Sequence, residues 1–171
     1  MFETDAEIAE LQRLFDQTLA HANPHMLGIV KPERRLSAQQ IVRYLQGTKH
    51  VAFGTVTPEG EPRVSPLDSL FIHGRFTMST GVQASKIRRL RANPHCSAVH
   101  MDGDRIAVVA NGAVEWIGRD HPDHALIHGT WTNTYESDPY SWGDVVFSGW
   151  RRPGCGPTRS TPRSSQRAEA A

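Results

Sequence analysis

The pattern of apolar and polar positions divides the chain into an N-terminal helical part, a run of short strands and a polar end. Thr4-Asp5-Ala6-Glu7 has the form of a capping box, in which hydroxyl and carboxylate each satisfy a backbone N–H. Ile8, Leu11, Phe15 and Leu19 follow at three- and four-residue steps. This spacing predicts an amphipathic helix over residues 5 to 21, ended near Asn23-Pro24. Ser37-Ala38-Gln39-Gln40 repeats the capping signature, and Ile41, Tyr44 and Leu45 supply the stripe of a shorter helix ending at Gly47.

From His50 the period falls to two. Residues 51 to 57 read as a strand, residues 58 to 62 as a turn, and residues 63 to 72 as a second strand. Pro66 marks that strand as an edge or a bulge, because proline cannot donate to a ladder. His73-Gly74 turns into a third strand, 75 to 80, and a short helix over 85 to 92 follows, with Ser85 as its cap and Asn93-Pro94 as its end. A strand over 96 to 101 turns at Asp102-Gly103 into a long strand over 105 to 117, with a bend near Asn111-Gly112. Asp120-His121-Pro122 then opens a helix with Asp120 as cap. Hairpin after hairpin, with helices at the flanks, predicts a mainly β (α+β) chain built on an antiparallel sheet or barrel.

Composition narrows the class. The longest strongly apolar run is the five residues 106 to 110, far short of the roughly 20 that a membrane helix needs. Residues 1 to 16 are acidic and amphipathic, the pattern of a folded helix rather than a secretory leader. Two cysteines, Cys96 and Cys155, make no disulfide framework, which leads us to expect a reducing, cytoplasmic setting. The net charge of +1 divides unevenly: residues 151 to 171 hold five arginines and one glutamate, leaving 14 basic and 17 acidic residues in 1 to 150. A mildly acidic domain argues against a broad nucleic-acid-binding surface. The end of the chain has no apolar residue larger than alanine apart from Cys155 and prolines, so a domain over 1 to 150 with a disordered basic tail is expected.

Within that acidic domain, residues 79 to 91, STGVQASKIRRLR, stand out as locally basic. A strand ends in hydroxyls and glycine, and a helix begins at Ser85 and Lys86. A helix N-terminus offers unpaired N–H groups and partial positive charge, which suits a phosphate. Ser85 adds a donor and Lys86 a point charge. The same residues also fit a surface helix whose Lys86, Arg88, Arg89 and Arg91 are simply solvated. A second group is His121, His124 and His128, which would share one helical face and suit a metal such as zinc, although no further ligand is evident. Trp131, Tyr135, Tyr140 and Trp142 suit either the wall of a cleft or packing against the barrel or a partner subunit. No Walker sequence, dinucleotide-type glycine pattern or nucleophile elbow occurs.

The order of these segments is itself informative. The run VAFGTVTPEGEPRVSPLDSLFIHGRFTMST, followed by ASKIRRLRANPHCSAVHMDGDRIAVVANGAVEWI, resembles the pyridoxamine 5′-phosphate oxidase-like family of flavin-binding split barrels, over about residues 40 to 117. The resemblance implies a six-stranded antiparallel split barrel that forms a homodimer, with a cofactor in each cleft between subunits. It implies that Arg63, Val64, Ser65, Pro66, Leu67 and Asp68 lie along the isoalloxazine ring, and that Ser79 and Thr80 contact the ribityl or phosphate region. Ser85 and Lys86, with Arg63, would hold the phosphate. The oxidases proper have a lysine where this chain has Asp68, and a C-terminal dimerisation region with substrate-phosphate arginines that this chain lacks. The chain is more similar to short actinobacterial relatives that bind FMN or a deazaflavin coenzyme. Its last segment, 144 to 150, begins like the strand that ends such barrels. The resemblance implies an oxidoreductase acting on a small organic molecule. A carrier of flavin, deazaflavin or tetrapyrrole and a histidine-based metal protein are the alternatives.

Overall fold

The computed structural model describes residues 1–151. Both capping boxes form. Thr4 Oγ1 accepts from the Glu7 amide at 3.3 Å while the Glu7 carboxylate accepts from the Thr4 amide at 2.7 Å, opening α1 (Asp5–Ala20). Ser37 and Gln40 do the same for α3 (Ala38–Tyr44), at 3.2 and 2.8 Å. Between them lies α2 (Pro24–Ile29), which the sequence pattern did not announce. Helix α1 ends before Asn23-Pro24 as expected, and the same pair opens α2: the Asn23 side chain accepts from the Met26 amide and Pro24 takes the first helical position, where a missing N–H costs nothing.

Six strands follow: β1 (Lys49–Val56), β2 (Pro62–Ile72), β3 (Arg75–Gly81), β4 (His95–Asp102), β5 (Ile106–Ile117) and β6 (Val145–Arg151). All pairings are antiparallel, and the strands close into a barrel in the order β1-β2-β3-β6-β5-β4. Two long strands are each shared between neighbours. β2 pairs with β1 from Pro62 to Ser69 and then with β3 from Leu70 to Ile72. β5 pairs with β4 up to Ala113 and with β6 from Ala113 to Ile117. β5 thus changes partners at Ala113, one residue past the expected bend at Asn111-Gly112, both of which still pair with β4. Pro66 pairs with Ala52 on one side only, as its missing donor requires.

Two helix starts differ from expectation. Helix α4 (Ser85–Ala92) has Ala84 at its cap and Ser85 as its first helical residue, with no side-chain cap. Helix α5 (His124–Tyr135) begins after Asp123, and Asp120 caps nothing. The His121 amide donates to Gly118 O and the His124 amide to His121 O, so residues 118 to 124 are successive turns. The ion-pairing carboxylates there are drawn to Arg75, whose guanidinium binds Glu115 Oε2 at 2.6 Å and Asp123 Oδ2. The tail expected from residue 151 lies outside the described residues, apart from Arg151, which closes β6.

The core forms two clusters. Strand alternation sends Val51, Phe53, Phe76, Met78, Cys96, Ala98 and Trp150 into the barrel, against Leu11 of α1, Val42 of α3 and Ile87 and Leu90 of α4. The second cluster joins Leu70, Ile72, Ile117 and Phe147 to Ile127 and Trp131 of α5. No helix among the described residues is long and apolar enough to cross a membrane. Phe53 is fully buried and sits 5.0 Å from the Trp150 ring. Phe53→Ala is expected to cost about 3–5 kcal/mol through lost contacts and a residual cavity. Urea unfolding checks this as a lowered midpoint at unchanged slope; a loss under 1 kcal/mol would mean that the barrel end collapses around the gap.

Candidate functional site

The basic stretch becomes a defined cradle at the start of α4. Lys86 Nζ donates to Thr80 Oγ1 at 3.4 Å, back across the turn from β3. One helical turn on, Arg89 Nε donates to Thr55 Oγ1 of β1 at 2.8 Å. Thr55 is buried, and its hydroxyl reaches Arg63 O at 3.5 Å. Among the described residues, neither Lys86 nor Arg89 forms an ion pair. Burial, and then the Arg89 charge, hold the Lys86 ammonium below its usual range. Two half-buried cations beside a helix N-terminus without a side-chain cap form a locally positive surface.

A cleft of about 400 Å³ opens along β2, lined by Pro66, Leu67, Asp68, Ser79, His50 and three aromatic residues. It exists because β2 leaves β3 after three paired residues, so the β2 edge over residues 63 to 68 has no second strand beside it among the described residues. Helix α5 supplies the far wall. Trp131 and Tyr135, four residues apart, stack at 5.5 Å with an interplanar angle of 1°. Trp142, on the 3-10 turn Pro139–Trp142, meets Tyr135 edge-on at 5.5 Å and donates its Nε1 to Ser137 Oγ at 2.9 Å. Arg75, by tying Asp123 to the barrel, fixes where α5 begins.

Asp68 anchors one end of this cleft. Its Oδ1 lies 2.7 Å from His50 Nδ1, and its Oδ2 accepts the Tyr135 hydroxyl. Burial, reinforced by Asp68, pushes the Tyr135 phenol well above its usual range. Two polar atoms of the lining are buried with no partner among the described residues: Ser79 Oγ and Trp131 Nε1. Such orphans are costly unless something completes them.

The residues predicted to form the site divide into three groups. Pro66, Leu67, Asp68 and Ser79 line the cleft. Thr80 and Lys86 meet at the cradle, with Ser85 exposed at the first position of α4. Ser65 is half-buried and Val64 is 71% exposed on β2, while Arg63 turns its guanidinium to Glu61 rather than to Lys86. Arg89 takes the place expected of Arg63. In the sequence it stands among arginines that fit a solvated helix face, and its spacing of three from Lys86 is the signal that it shares the Lys86 face. Thr55 and His50 were missed because nothing local marks them: only the β1–β2 register brings His50 opposite Asp68.

The histidines do not share one helix, since His121 precedes α5. His124 and His128 stack at 5.8 Å, but His124 Nε2 is engaged by Tyr140 Oη at 2.7 Å and His128 Nε2 by Asp138 at 2.9 Å. His121 faces Glu115 and Asp123. Among the described residues no group of three such side chains is arranged to hold a metal ion. Tyr140 packs on these rings and under Arg119 rather than on the cleft.

A closed, six-stranded antiparallel barrel with flanking helices and a cleft along a half-paired strand has the architecture of the split-barrel class. The family profile of the pyridoxamine 5′-phosphate oxidases matches residues 37–142, and the chain belongs to that family. Among solved structures, an F420 reductase is similar at 23% identity over 63% of this chain and 88% of that one, with a TM-score of 0.51. The heme storage protein HutZ of Vibrio cholerae matches at 15% identity over 67% and 89%, with a TM-score of 0.57. An FAD-binding protein of Mesorhizobium loti matches at 23% identity over 67% and 86%, with a TM-score of 0.51. No curated protein sequence matches the chain.

The latch between α5 and the 3-10 turn has a pH signature. Burial, followed by His128, Arg119 and His121, holds the His124 imidazole below its usual range, against a smaller opposing effect of Asp120. The folded protein therefore takes up this proton less readily than the unfolded chain. The resulting stability is present above the ordinary histidine range near ~6.5 and is lost as pH falls through it. Urea midpoints measured from neutral to mildly acidic pH are expected to fall less steeply for His124→Gln than for the parent. Parallel curves would place the pH sensitivity elsewhere.

Proposed function

We propose that this protein is an oxidoreductase that binds FMN or a deazaflavin coenzyme along β2, with the cofactor phosphate on Lys86 and Arg89. The observation that carries the reading is the pair of half-buried, acid-free cations at the uncapped start of α4, in line with Thr80 and the unpartnered Ser79 hydroxyl. That donor set fits a phosphate followed by a hydroxylated chain. The β2 edge over Arg63, Val64, Ser65, Pro66, Leu67 and Asp68 fits the polar rim of a flat ring, because its backbone groups there have no second strand to satisfy them. When bound, the cofactor supplies the redox chemistry, passing a hydride or electrons at its ring. The chain itself binds, orients and shields: Ser85 and Lys86 with Arg89 hold the anion, Ser79 and Thr80 offer hydroxyls, and the α5 aromatics keep water from one face.

The same face of the barrel supports a homodimer. The register sets Pro66, Ala52, Val99 and Val109 in one row across four strands, beside the exposed Val64 and Met101. An apolar row on an outward sheet face is the kind of surface that a second copy covers. Membership of a family that includes oxidases, and likeness to a reductase, support catalysis. Likeness to HutZ, a heme storage protein, supports a carrier as the second reading. Reduction and reoxidation of the bound cofactor in the presence of candidate substrates separate the two, since a carrier shows no substrate-dependent turnover.

Lys86→Ala is expected to weaken cofactor binding by about 1.5–3 kcal/mol, the scale of a hydrogen bond to a charged group, with folding nearly intact. Titration of FMN and of deazaflavin into parent and variant measures this. Equal affinities would put the phosphate elsewhere, and no binding of either cofactor by the parent would end the reading.

A further inference from the structure

We propose that the cleft beside Asp68 is a subsite for an organic cation, an alkylammonium or similar group that also carries a hydrogen-bond acceptor; that this cation is the substrate rests on the cofactor reading above. Three observations lead there. First, one wall is aromatic: Trp131 and Tyr135 are stacked, Trp142 stands edge-on to Tyr135, and all three line the same space. Trp142 and Tyr135 remain 49% and 38% exposed, although they sit in a built cluster. Ring faces carry negative charge density, so an aromatic wall of this kind attracts a cation laid against it.

Second, the ionisable acid in the lining is Asp68, held rather than free to swing. His50 fixes Oδ1 and the Tyr135 hydroxyl fixes Oδ2, so the carboxylate keeps one orientation toward the space between β2 and α5. A carboxylate at the end of an aromatic cleft disfavours an anion there and favours a positive group. The phosphate cradle is built from other elements, Thr80 of β3 and Lys86 of α4, so the position suited to an anion and the one suited to a cation are separate.

Third, the cleft lining contains an unmet donor that the cofactor reading does not use. Trp131 is 2% exposed, and its indole N–H has no acceptor among the described residues. An aminated ligand with a hydroxyl or carbonyl would satisfy Asp68 and the aromatic wall through its cation and complete Trp131 through its oxygen.

The test uses the full chain as purified, with its cofactor content measured from its absorbance. Choline and its neutral carbon isostere, dimethylbutanol, are titrated by calorimetry and by tryptophan fluorescence. The cation is expected to bind about tenfold or more tighter than the isostere, the scale of a desolvated cation–π site. Asp68→Asn should remove most of that preference, and Trp142→Leu, at a half-exposed position, should weaken the cation while leaving the fold unchanged by circular dichroism. Equal affinity for the two probes, no binding of choline at millimolar concentration, or an unchanged preference in both variants would each overturn the proposal. The preference is read without turnover, so its absence alongside normal FMN or deazaflavin binding defeats this inference alone. Its presence in a protein that binds neither cofactor upholds the cation site and defeats the cofactor reading instead.

Discussion

The constraint on which the rest depends is that β2 cannot stay paired on both edges along its whole length. Its ladder with β1 runs from Pro62 to Ser69, but its ladder with β3 only from Leu70 to Ile72. Six strands of unequal length close a barrel only if the longest ones pass from one neighbour to another, and β5 does so as well, at Ala113. Where β2 parts from β3, its backbone groups have no second strand among the described residues, and a cleft opens beside them. Pro66 belongs there, since it has no N–H to leave unpaired. The cleft, the orphaned Ser79 hydroxyl and the reach of α5 over the gap all follow from that divergence.

Around the gap, charge is placed with economy. A domain with more acids than bases gathers Lys86 and Arg89 at the start of one helix and ties each to a threonine rather than to a carboxylate. At the other end, Asp68 is oriented by a histidine and a tyrosine. The far wall is positioned by charge too, since Arg75 binds both Glu115 and Asp123 in a setting where all three side chains are largely buried. Pairs of this kind contribute less to net stability than to a fixed geometry, because desolvation offsets much of their attraction. Here the geometry they fix is the start of α5, and with it the stacked Trp131 and Tyr135.

Much of this was legible along the chain, for physical reasons. The capping boxes at Thr4 and Ser37 are local, so they survived the passage to structure unchanged, and the period-two alternation of Val51, Phe53 and Thr55 marked the inside of β1. Lys86 and Thr80 were readable because the strand, turn and helix that join them are consecutive. What escaped reading depended on contacts between distant segments. Asp120 looked like a cap, but α5 starts only beyond Asp123, the carboxylate that Arg75 holds from across the barrel. His50 meets Asp68 only through strand register, 18 residues away in sequence, and Arg89 was hidden among arginines that one sequence cannot rank.

The most direct test of the account is the visible absorption spectrum of the full-length protein, recorded as purified without added cofactor and again after chemical reduction. If the β2 edge and the α4 cradle hold a flavin-type cofactor, the spectrum shows the bands of a flavin or of a deazaflavin, and they bleach on reduction. A Soret band would instead assign the cleft to a tetrapyrrole. A colourless protein that stays colourless after incubation with FMN and deazaflavin would contradict the account.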